Sequence, residues 1–335
     1  MTEKASLNIY DIAEAAGVSI ATVSRVLSGA ENVRPQTRQK VLEVVEKTQY
    51  TPNAFARGLG LGSMKMVGIL CTDVSDSFYA RAVSILEHEL RLLDFDALLY
   101  CTGSDLKDKQ RYTSHLLAKH VDAIVLVGSA FKEQIDNSHI EFAAKHVPVL
   151  IINGLVECEN TYCILCDEYR AMYENVRLLH LHGCKKLAFL YHAASYSTVQ
   201  KIAAYREAVQ KYGLALNENL IAYCDKTCES AEDVCTDLLS LHPDIDAIVT
   251  AEDLLAVGAC KALSRRGMNL PVIGFDNSAF SVCATPTITS VDNMLGDMCA
   301  EAANILSTVL AGNKAPHKTI LKAKLVERET FRISK

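Results

Sequence analysis

The segment IYDIAEAAGVSIATVSRVLSG, residues 9–29, decides the fold of the N-terminal part of this 335-residue chain. Asn8 stands before it and can accept hydrogen bonds from the free amides of a helix, while Asp11 falls in the positively polarised first turn. Gly17 can end that helix in the left-handed conformation that glycine tolerates. A second apolar-periodic stretch begins three residues later, so a tight turn must join two helices. This pattern predicts a helix-turn-helix unit.

The second helix, predicted over residues 20–28, divides into two faces. Val23, Val26 and Leu27 follow helical spacing and are predicted to be buried. The other face carries Arg25, whose fork of donors suits the paired acceptors of guanine in the major groove. Short polar side chains suit phosphate oxygens, and the predicted phosphate contacts are Asn8, Ser19, Thr22 and Ser24. An ordinary helical hairpin with a polar face would show the same spacing.

A third helix is predicted over residues 35–47, because proline is favoured in a first helical turn. Val41, Leu42 and Val45 are predicted to form its buried stripe. Residues 53–59 follow a proline and could form two turns of helix at most. So short a helix is marginal in water without a partner.

Two segments resemble the head and hinge of the lactose/galactose-repressor (LacI/GalR) family: residues 9–29, quoted above, and VRPQTRQKVLEVVEKTQYTPNAFARGL at residues 33–59. The resemblance implies a homodimer on pseudo-palindromic double-stranded operator DNA, with Ile20, Ala21 and Arg25 reading base edges. It also implies a hinge helix in the minor groove, where Leu59 would wedge between base pairs. The alternative for Leu59 is a linker residue that packs on the core. The implied minor-groove residues are Asn53, Ala56, Arg57 and Leu59.

Charge and cysteine content are less specific. The net charge is −6, and residues 1–62 carry seven Lys and Arg against six Asp and Glu, so charge alone does not predict DNA binding. Twelve cysteines lie largely in strand-like apolar runs, which favours core packing over disulfides or a metal site.

No apolar run of about 18 residues is present, so we predict neither a membrane span nor a membrane partner. A polar N-terminus without a secretory stretch favours a cytoplasmic location.

From residue 64 onward, short apolar runs alternate with helical stretches. Two consecutive β-α-β series predict an α/β core of two doubly wound parallel-sheet lobes, with a ligand cleft at the carboxyl ends of the strands. The sequence contains no Walker loop, no Gly-x-Ser-x-Gly elbow and no His-Glu-x-x-His motif. We therefore predict no catalytic residues, no cofactor and no metal. The alternative is an enzyme with a regulatory head, but it would need a set of catalytic residues that we do not find in the sequence.

The core resembles the same family and the periplasmic sugar-binding proteins. The resemblance is carried by CTDVSDSFYA at 71–80, VTAEDLLAVGACKALSRRG at 249–267, VIGFDNS at 272–278 and PTITSVDNM at 286–294. It implies that the chain passes between the lobes three times. The predicted domains are a helix-turn-helix head (1–52), a hinge and linker (53–63), an N-lobe (64–182 and 292–315) and a C-lobe (183–291 and 316–335).

The resemblance also implies an effector site between the lobes. The implied residues are Asp76, Phe78, Tyr79, Asn153, Arg170, Lys201, Glu252, Asp276 and Asn293. Asp276 fits the family pattern, whereas Glu252 replaces an Asn, Asn293 a Gln and Lys201 an Arg. The segment around Asn153 replaces an Asp–Arg pair that grips ligand hydroxyls. Arg170 could instead be a surface helix residue.

These departures argue against a simple pentose or hexose as the effector. A ligand that carries both charges, or a phosphorylated one, would suit Lys201 and Glu252 better. The family resemblance itself predicts a small-molecule effector, a sugar or related metabolite. The alternative is a core that responds to a protein corepressor, such as a phosphocarrier protein, because some family members work with one.

Overall fold

The computed structural model describes residues 8–27, 30, 32–50 and 63–333. The chain divides into two compact units, Met1–Met66 and Val67–Lys335. The first unit contains three described helices: α1 (Ile9–Ala16), α2 (Ile20–Leu27) and α3 (Pro35–Thr48).

The start and end of α1 follow from its sequence. Asn8 Oδ1 accepts hydrogen bonds from the backbone amides of Tyr10 (2.8 Å) and Asp11 (3.3 Å). The Asp11 carboxylate accepts one in return from the Asn8 amide at 2.7 Å, which completes a capping box. Gly17 ends the helix at φ 65°. The predicted helix-turn-helix arrangement is confirmed.

A small apolar core holds the three helices together. Ile12 and Ala16 of α1, Val23 and Val26 of α2, and Val41 of α3 are buried against one another. The prediction that Leu42 belongs to this core is wrong, since 43% of it is exposed. Val45 packs on the core as predicted, and Val44 does so as well, because positions three and four residues after Val41 share its face and the next position does not.

The second unit alternates strands and helices. Its strands are β1 (Met66–Cys71), β2 (Asp96–Cys101), β3 (Ala123–Val127), β4 (Val149–Ile152), β5 (Thr161–Cys166), β6 (Leu187–Tyr191), β7 (Ile221–Tyr223), β8 (Ala247–Thr250), β9 (Val272–Phe275), β10 (Thr289–Asp292), β11 (Lys318–Leu321) and β12 (Lys324–Val326). Its helices are α4 (Ser77–Leu92), α5 (Leu106–Ala118), α6 (Ser138–Ala144), α7 (Glu168–Leu181), α8 (Tyr196–Lys211), α9 (Cys228–Leu241), α10 (Asp253–Arg265), α11 (Ala279–Cys283) and α12 (Leu295–Leu310). Short 3-10 turns occupy Ser129–Phe131 and Glu218–Leu220.

These strands form two six-stranded sheets, one in each lobe. The first sheet has the order β11-β5-β4-β3-β1-β2 and the second β12-β10-β9-β8-β6-β7. Parallel pairing joins β11, β5, β4, β3 and β1 in the first sheet and β10, β9, β8, β6 and β7 in the second. β12 runs antiparallel to β10. Helices cover the sheets and bury strands that read as continuous apolar runs. The predicted fold class, an all-α head followed in the chain by two doubly wound α/β lobes, is confirmed.

The first passage between the lobes lies earlier than the sequence analysis placed it. The boundary at residues 182–183 assigned α7 to the first lobe, but Met172 and Leu179 of α7 pack in one core with Leu187 and Phe189 of β6. The chain therefore crosses next to Asp167, between β5 and α7. An apolar helix stripe fits either sheet equally well from sequence, and only packing selects the sheet.

The later passages lie between β10 and α12 and between β11 and β12, since α12 packs on the first sheet and β12 pairs in the second. The passage after β10 lies within a few residues of the predicted boundary at 291–292. The predicted boundary at 315–316 is wrong, because it assigned β11 to the C-lobe and β11 pairs with β5 of the first sheet. All twelve cysteines are free, and eight of them are buried. Among the described residues no group of side chains could hold a metal ion, and no helix is long and apolar enough to cross a membrane.

Candidate functional site

The outer face of α2 is open to solvent. Ile20, Ala21, Ser24 and Arg25 are exposed there, while Val23 and Val26 face the core. A helix of this unit can enter the major groove only with a face that the rest of the unit leaves open. The structure thus brings the three predicted base-reading residues together on one surface, and their role in DNA binding stays a prediction.

Several predicted phosphate contacts also stabilise helix starts. The Ser19 hydroxyl accepts a hydrogen bond from the Thr22 amide at 3.2 Å and lies 2.8 Å from the Thr22 hydroxyl. Asn8 caps α1 in the same way, and Ser24 is exposed on α2. Caps of this kind leave polar atoms at helix N-termini, where anions bind well. The predicted minor-groove residues Asn53, Ala56, Arg57 and Leu59 lie outside the described residues.

The second unit has a cleft between its lobes, at the carboxyl ends of the parallel strands. The cleft contains an outer cavity of about 560 Å³ and an inner one of about 110 Å³, and Phe78, Lys226, Glu252 and Asp276 line both. The volume of the outer cavity lies within the usual size range of small-molecule binding sites. The cleft is where a doubly wound fold places its ligands.

The first lobe supplies an aromatic wall at the start of α4. Asp76 caps this helix by accepting a hydrogen bond from the Phe78 amide at 2.8 Å, and Phe78 and Tyr79 meet edge to face with ring centroids 5.3 Å apart. Tyr79 also lies against Gly128, where an added Cβ would come within 2.6 Å of the tyrosine ring. Gly128 therefore allows the ring to approach the backbone that follows β3.

The inner cavity is built around a buried lysine. Lys201 Nζ donates to the Ala251 carbonyl at 3.0 Å, lies 3.6 Å from Glu168 Oε1 and sits 3.7 Å from the centroid of the Phe275 ring. Asn153 donates from Nδ2 to the same Glu168 oxygen at 3.1 Å. The lysine and the carboxylate are 3% and 4% exposed, so the pair replaces water on both groups.

Asp276 and Asn293 form a second polar contact in the cleft. Asn293 donates from Nδ2 to Asp276 Oδ1 at 2.8 Å and accepts from the Leu295 amide at 3.1 Å. Asn293 is 1% exposed and does not line either cavity. It therefore positions Asp276 from behind, whereas Asp276 itself faces the cleft.

A charged contact spans the two lobes. The Lys226 ammonium, which follows β7 in the second lobe, pairs with Asp76 of the first lobe and with Glu252 Oε2 of the second at 2.9 Å. His192 Nε2 lies 3.5 Å from the same Glu252 oxygen. Although burial opposes it, the attraction of the two carboxylates raises the pKa of Lys226 above its ordinary value. Lys226 therefore remains a cation at physiological pH.

We expect the stability of the core to fall as the pH rises from about 5 to 8, in part because of Asp276. Burial raises the pKa of this carboxyl from 3.8 to about 8, against the attraction of Lys201. The native state holds a proton that the unfolded chain has lost in this interval, so stability decreases with pH. The Asp276→Asn variant should show a smaller decrease in the melting temperature between pH 5 and pH 8. The exposed Asp297→Asn variant is the control, and an unchanged pH profile in Asp276→Asn would contradict this role.

The structure corrects one predicted effector residue. The Arg170 side chain is 68% exposed and pairs with Glu174 at 3.2 Å on the outer face of α7. It lines neither cleft cavity, because the early passage between the lobes places α7 on the second sheet. Arg170 is therefore a surface helix residue, which was the alternative to an effector contact in the sequence analysis. The other predicted effector residues lie in or directly behind the cleft.

Among the cleft residues that sequence reasoning missed are the titratable side chains of Glu168, His192 and Lys226. Each of them follows a strand within three residues, after β5, β6 and β7. The rule that places ligands at the carboxyl ends of parallel strands could have found all three. Polar residues at this edge of a sheet are thus a usable signal even without a motif.

Comparison with known proteins agrees with both units. Residues 8–53 match the family described as bacterial regulatory proteins, lacI family. Residues 64–313 match periplasmic binding proteins and sugar binding domain of LacI family. An HTH-type transcriptional regulator of Lachnoclostridium phytofermentans is 44% identical over 97% of this chain and 99% of the relative. Catabolite control protein A of Priestia megaterium is 31% identical over 90% of this chain and 92% of the relative.

Solved structures show the same architecture. A complex of the transcriptional regulator CelR with cellobiose is 25% identical and covers 97% of this chain and 100% of its own, with a TM-score of 0.71. The lac repressor dimer bound to operator and the anti-inducer ONPF covers 97% of this chain and 99% of its own, with a TM-score of 0.87, and at 22% identity it shows the fold alone. The chain is a DNA-binding transcriptional regulator with a core of the sugar-binding type, and not an enzyme. It belongs to the LacI family of bacterial regulatory proteins.

Proposed function

We propose that this regulator is a homodimeric repressor, and that a small molecule bound in the cleft sets its affinity for a pseudo-palindromic operator. The observation that carries the proposal is the contact of Lys226 with Asp76 of one lobe and Glu252 of the other. A molecule that binds at this place must touch both lobes, so it changes the relative stability of their open and closed arrangements. The likeness to a repressor dimer on its operator supports the dimer.

The cleft would act on DNA through the segment that joins the two units. Residues 53–59 are too short for a stable isolated helix, so small differences in the arrangement of the lobes can decide whether this helix forms. We propose that the helices of two subunits order together in the minor groove of the operator. A change in the cleft then becomes a change in operator affinity.

The experiment is an operator titration with and without candidate effectors. An operator is selected from random duplexes with the full chain, and its affinity is measured by fluorescence anisotropy at one fixed salt concentration. A compound that raises the melting temperature of the protein should also change operator affinity. A cleft ligand that stabilises the protein and leaves operator affinity unchanged would disprove effector control. A change produced only by an added phosphocarrier protein would favour the protein corepressor.

Arg25→Ala should weaken binding to the selected operator by about 1–3 kcal/mol and should relax the preference at one base pair. The physical reason is the loss of a bidentate contact to guanine from an exposed side chain of α2. Binding of both proteins to single-base variants of the operator measures the change. Ser24→Ala is the matched control, because loss of a phosphate contact should weaken all sequences equally. If Arg25→Ala also weakens all sequences equally, Arg25 contacts phosphate.

Leu59→Ala should reduce the bend of operator DNA while the helix-turn-helix unit keeps its fold. An apolar wedge separates two base pairs and kinks the duplex, and alanine is too short to do so. The distance between fluorophores at the two ends of the operator measures the bend. An unchanged distance would show that Leu59 is a linker residue.

A further inference from the structure

The cleft holds more negative than positive side chains. Six carboxyl groups line its two cavities: Asp73, Asp76, Glu168, Glu252, Asp253 and Asp276. Burial raises the pKa of Asp276 to about 8, so the other five carry the negative charge near pH 7. Arg81, Lys201 and Lys226 are the basic side chains among the lining residues. Burial lowers the pKa of His192, so this ring adds no charge near pH 7. The lining residues thus favour a positively charged group over an anion.

The two lysines are already committed to protein groups. Lys201 is 3% exposed and bonds the Ala251 carbonyl and Glu168. The Lys226 ammonium lies between Asp76 and Glu252, at 2.9 Å from the latter. Arg81, the other basic lining side chain, is exposed and lines the outer cavity only. A phosphate placed between Asp76 and Glu252, or in the inner cavity, would have to remove one of the two lysines from its carboxylate. That exchange would leave a buried carboxylate without a partner, which is costly.

One acceptor in the cleft remains without a hydrogen bond. Glu252 is 8% exposed, and its Oε1 atom is buried with no partner among the described residues. Its Oε2 atom binds Lys226, whose side chain is 37% exposed and can move outward into solvent. A buried carboxylate oxygen with no donor is expensive unless a donor arrives. Glu252 therefore offers a site for an incoming donor next to a displaceable internal ammonium.

We propose that the effector carries an ammonium group, which takes the place of the Lys226 ammonium between Asp76 and Glu252. The inference rests on the proposed function, since it names the ligand class of the same cleft. Lys226 acts as an internal substitute that joins the two lobes when no effector is present. The ammonium brings three donors, enough for one oxygen of Asp76 and both oxygens of Glu252. Ring hydroxyls or carbons beside it would contact Phe78, so an amino sugar is the simplest ligand of this class.

Chemical rescue tests the carboxylate pair directly. Lys226→Ala removes the propylammonium part of the side chain and should lower the melting temperature of the full chain. Adding n-propylammonium chloride should then raise this temperature in a saturable way, by the mass action of a bound ligand. 1-Propanol and sodium chloride at equal concentration should not. If n-propylammonium and sodium chloride act alike on Lys226→Ala, the proposal is overturned.

Two further variants show where the rescuing cation binds. Lys186→Ala removes another paired lysine, which lies 2.7 Å from Asp244 outside the cleft, and should show no rescue. Adding Glu252→Gln to Lys226→Ala should weaken the rescue by roughly tenfold, the usual effect of losing one charged hydrogen bond. Equal rescue of Lys186→Ala and Lys226→Ala would also overturn the proposal.

The wild-type protein tests the ligand class. D-glucosamine should raise its melting temperature more than D-glucose or inorganic phosphate does at the same high concentration and ionic strength. Equal shifts, or a larger shift with phosphate, would overturn the proposal. None of these measurements contains DNA, so a failure here is separate from a failure of effector control, which only the operator titration can show.

Discussion

Lys201→Met is expected to lower the free energy of unfolding of the core by about 3–5 kcal/mol at pH 7. The substitution keeps the length of the side chain and removes its charge. Glu168 is 4% exposed, and among the described residues its carboxylate then keeps the hydrogen bond from Asn153 at 3.1 Å and no cation. A carboxylate that is buried without its cation must either remain charged in an apolar surrounding or bind a proton, and both are costly. Urea unfolding followed by circular dichroism measures the change.

A double variant separates this cause from simple loss of packing. Lys201→Met with Glu168→Gln removes both charges of this pair and should recover most of the lost stability. An exposed pair provides the control: Arg206 and Glu218 are 2.6 Å apart with side chains 48% and 59% exposed. Arg206→Met should therefore cost less than about 1 kcal/mol. If the double variant is as unstable as Lys201→Met alone, the charge of Glu168 is not the reason.

Gly258→Ala is expected to destabilise the core by about 3 kcal/mol, at the upper end of the usual cost of overpacking. An added Cβ at this position of α10 would lie 2.5 Å from the Cys228 carbonyl oxygen, 2.6 Å from the Ala231 Cβ and 2.8 Å from the Glu232 amide nitrogen. Two of these atoms belong to the backbone of α9 and cannot rotate away. The two helices must therefore move apart. The free-energy cost of this separation exceeds the gain of about 1 kcal/mol that alanine brings to a helix.

Gly296→Ala makes the same chemical change with the opposite expected sign. Gly296 lies in α12, and a Cβ there meets nothing within 4 Å. Alanine should stabilise the chain by about 0.4–1 kcal/mol, because it restricts the unfolded state. Both variants are compared by their urea midpoints. A loss of stability in Gly296→Ala, or none in Gly258→Ala, would contradict the packing of these helices.

Local patterns predicted the elements well and their partners less well. The capping box at Asn8 and Asp11 and the left-handed Gly17 follow from interactions between neighbours in the chain, and they were predicted correctly. The exposed position of Leu42 was missed, because α3 is apolar on more than one side and only its contact with α1 and α2 selects the buried side.

In the cleft the residue types were largely predictable, but their pairing was not. Asp76, Glu252 and Asp276 were expected at the carboxyl ends of strands, where the structure places them. Lys226 lies 150 residues from Asp76 in the chain, so no local pattern could show that the two side chains meet. The ligand class inferred from the cleft is for this reason narrower than the hypothesis from the sequence, which rested on Lys201 and Glu252 and named a ligand with both charges or a phosphorylated one.

The amino-acid sequence by itself determined the helix-turn-helix unit, the β-α-β order of the core and the family, because these depend on periodicity, capping and short motifs. The tertiary structure decided which lobe α7 joins, why Arg170 faces solvent and why Lys201 is not available to a ligand. Those outcomes depend on burial and on contacts between distant segments, and such contacts exist only after the chain has folded.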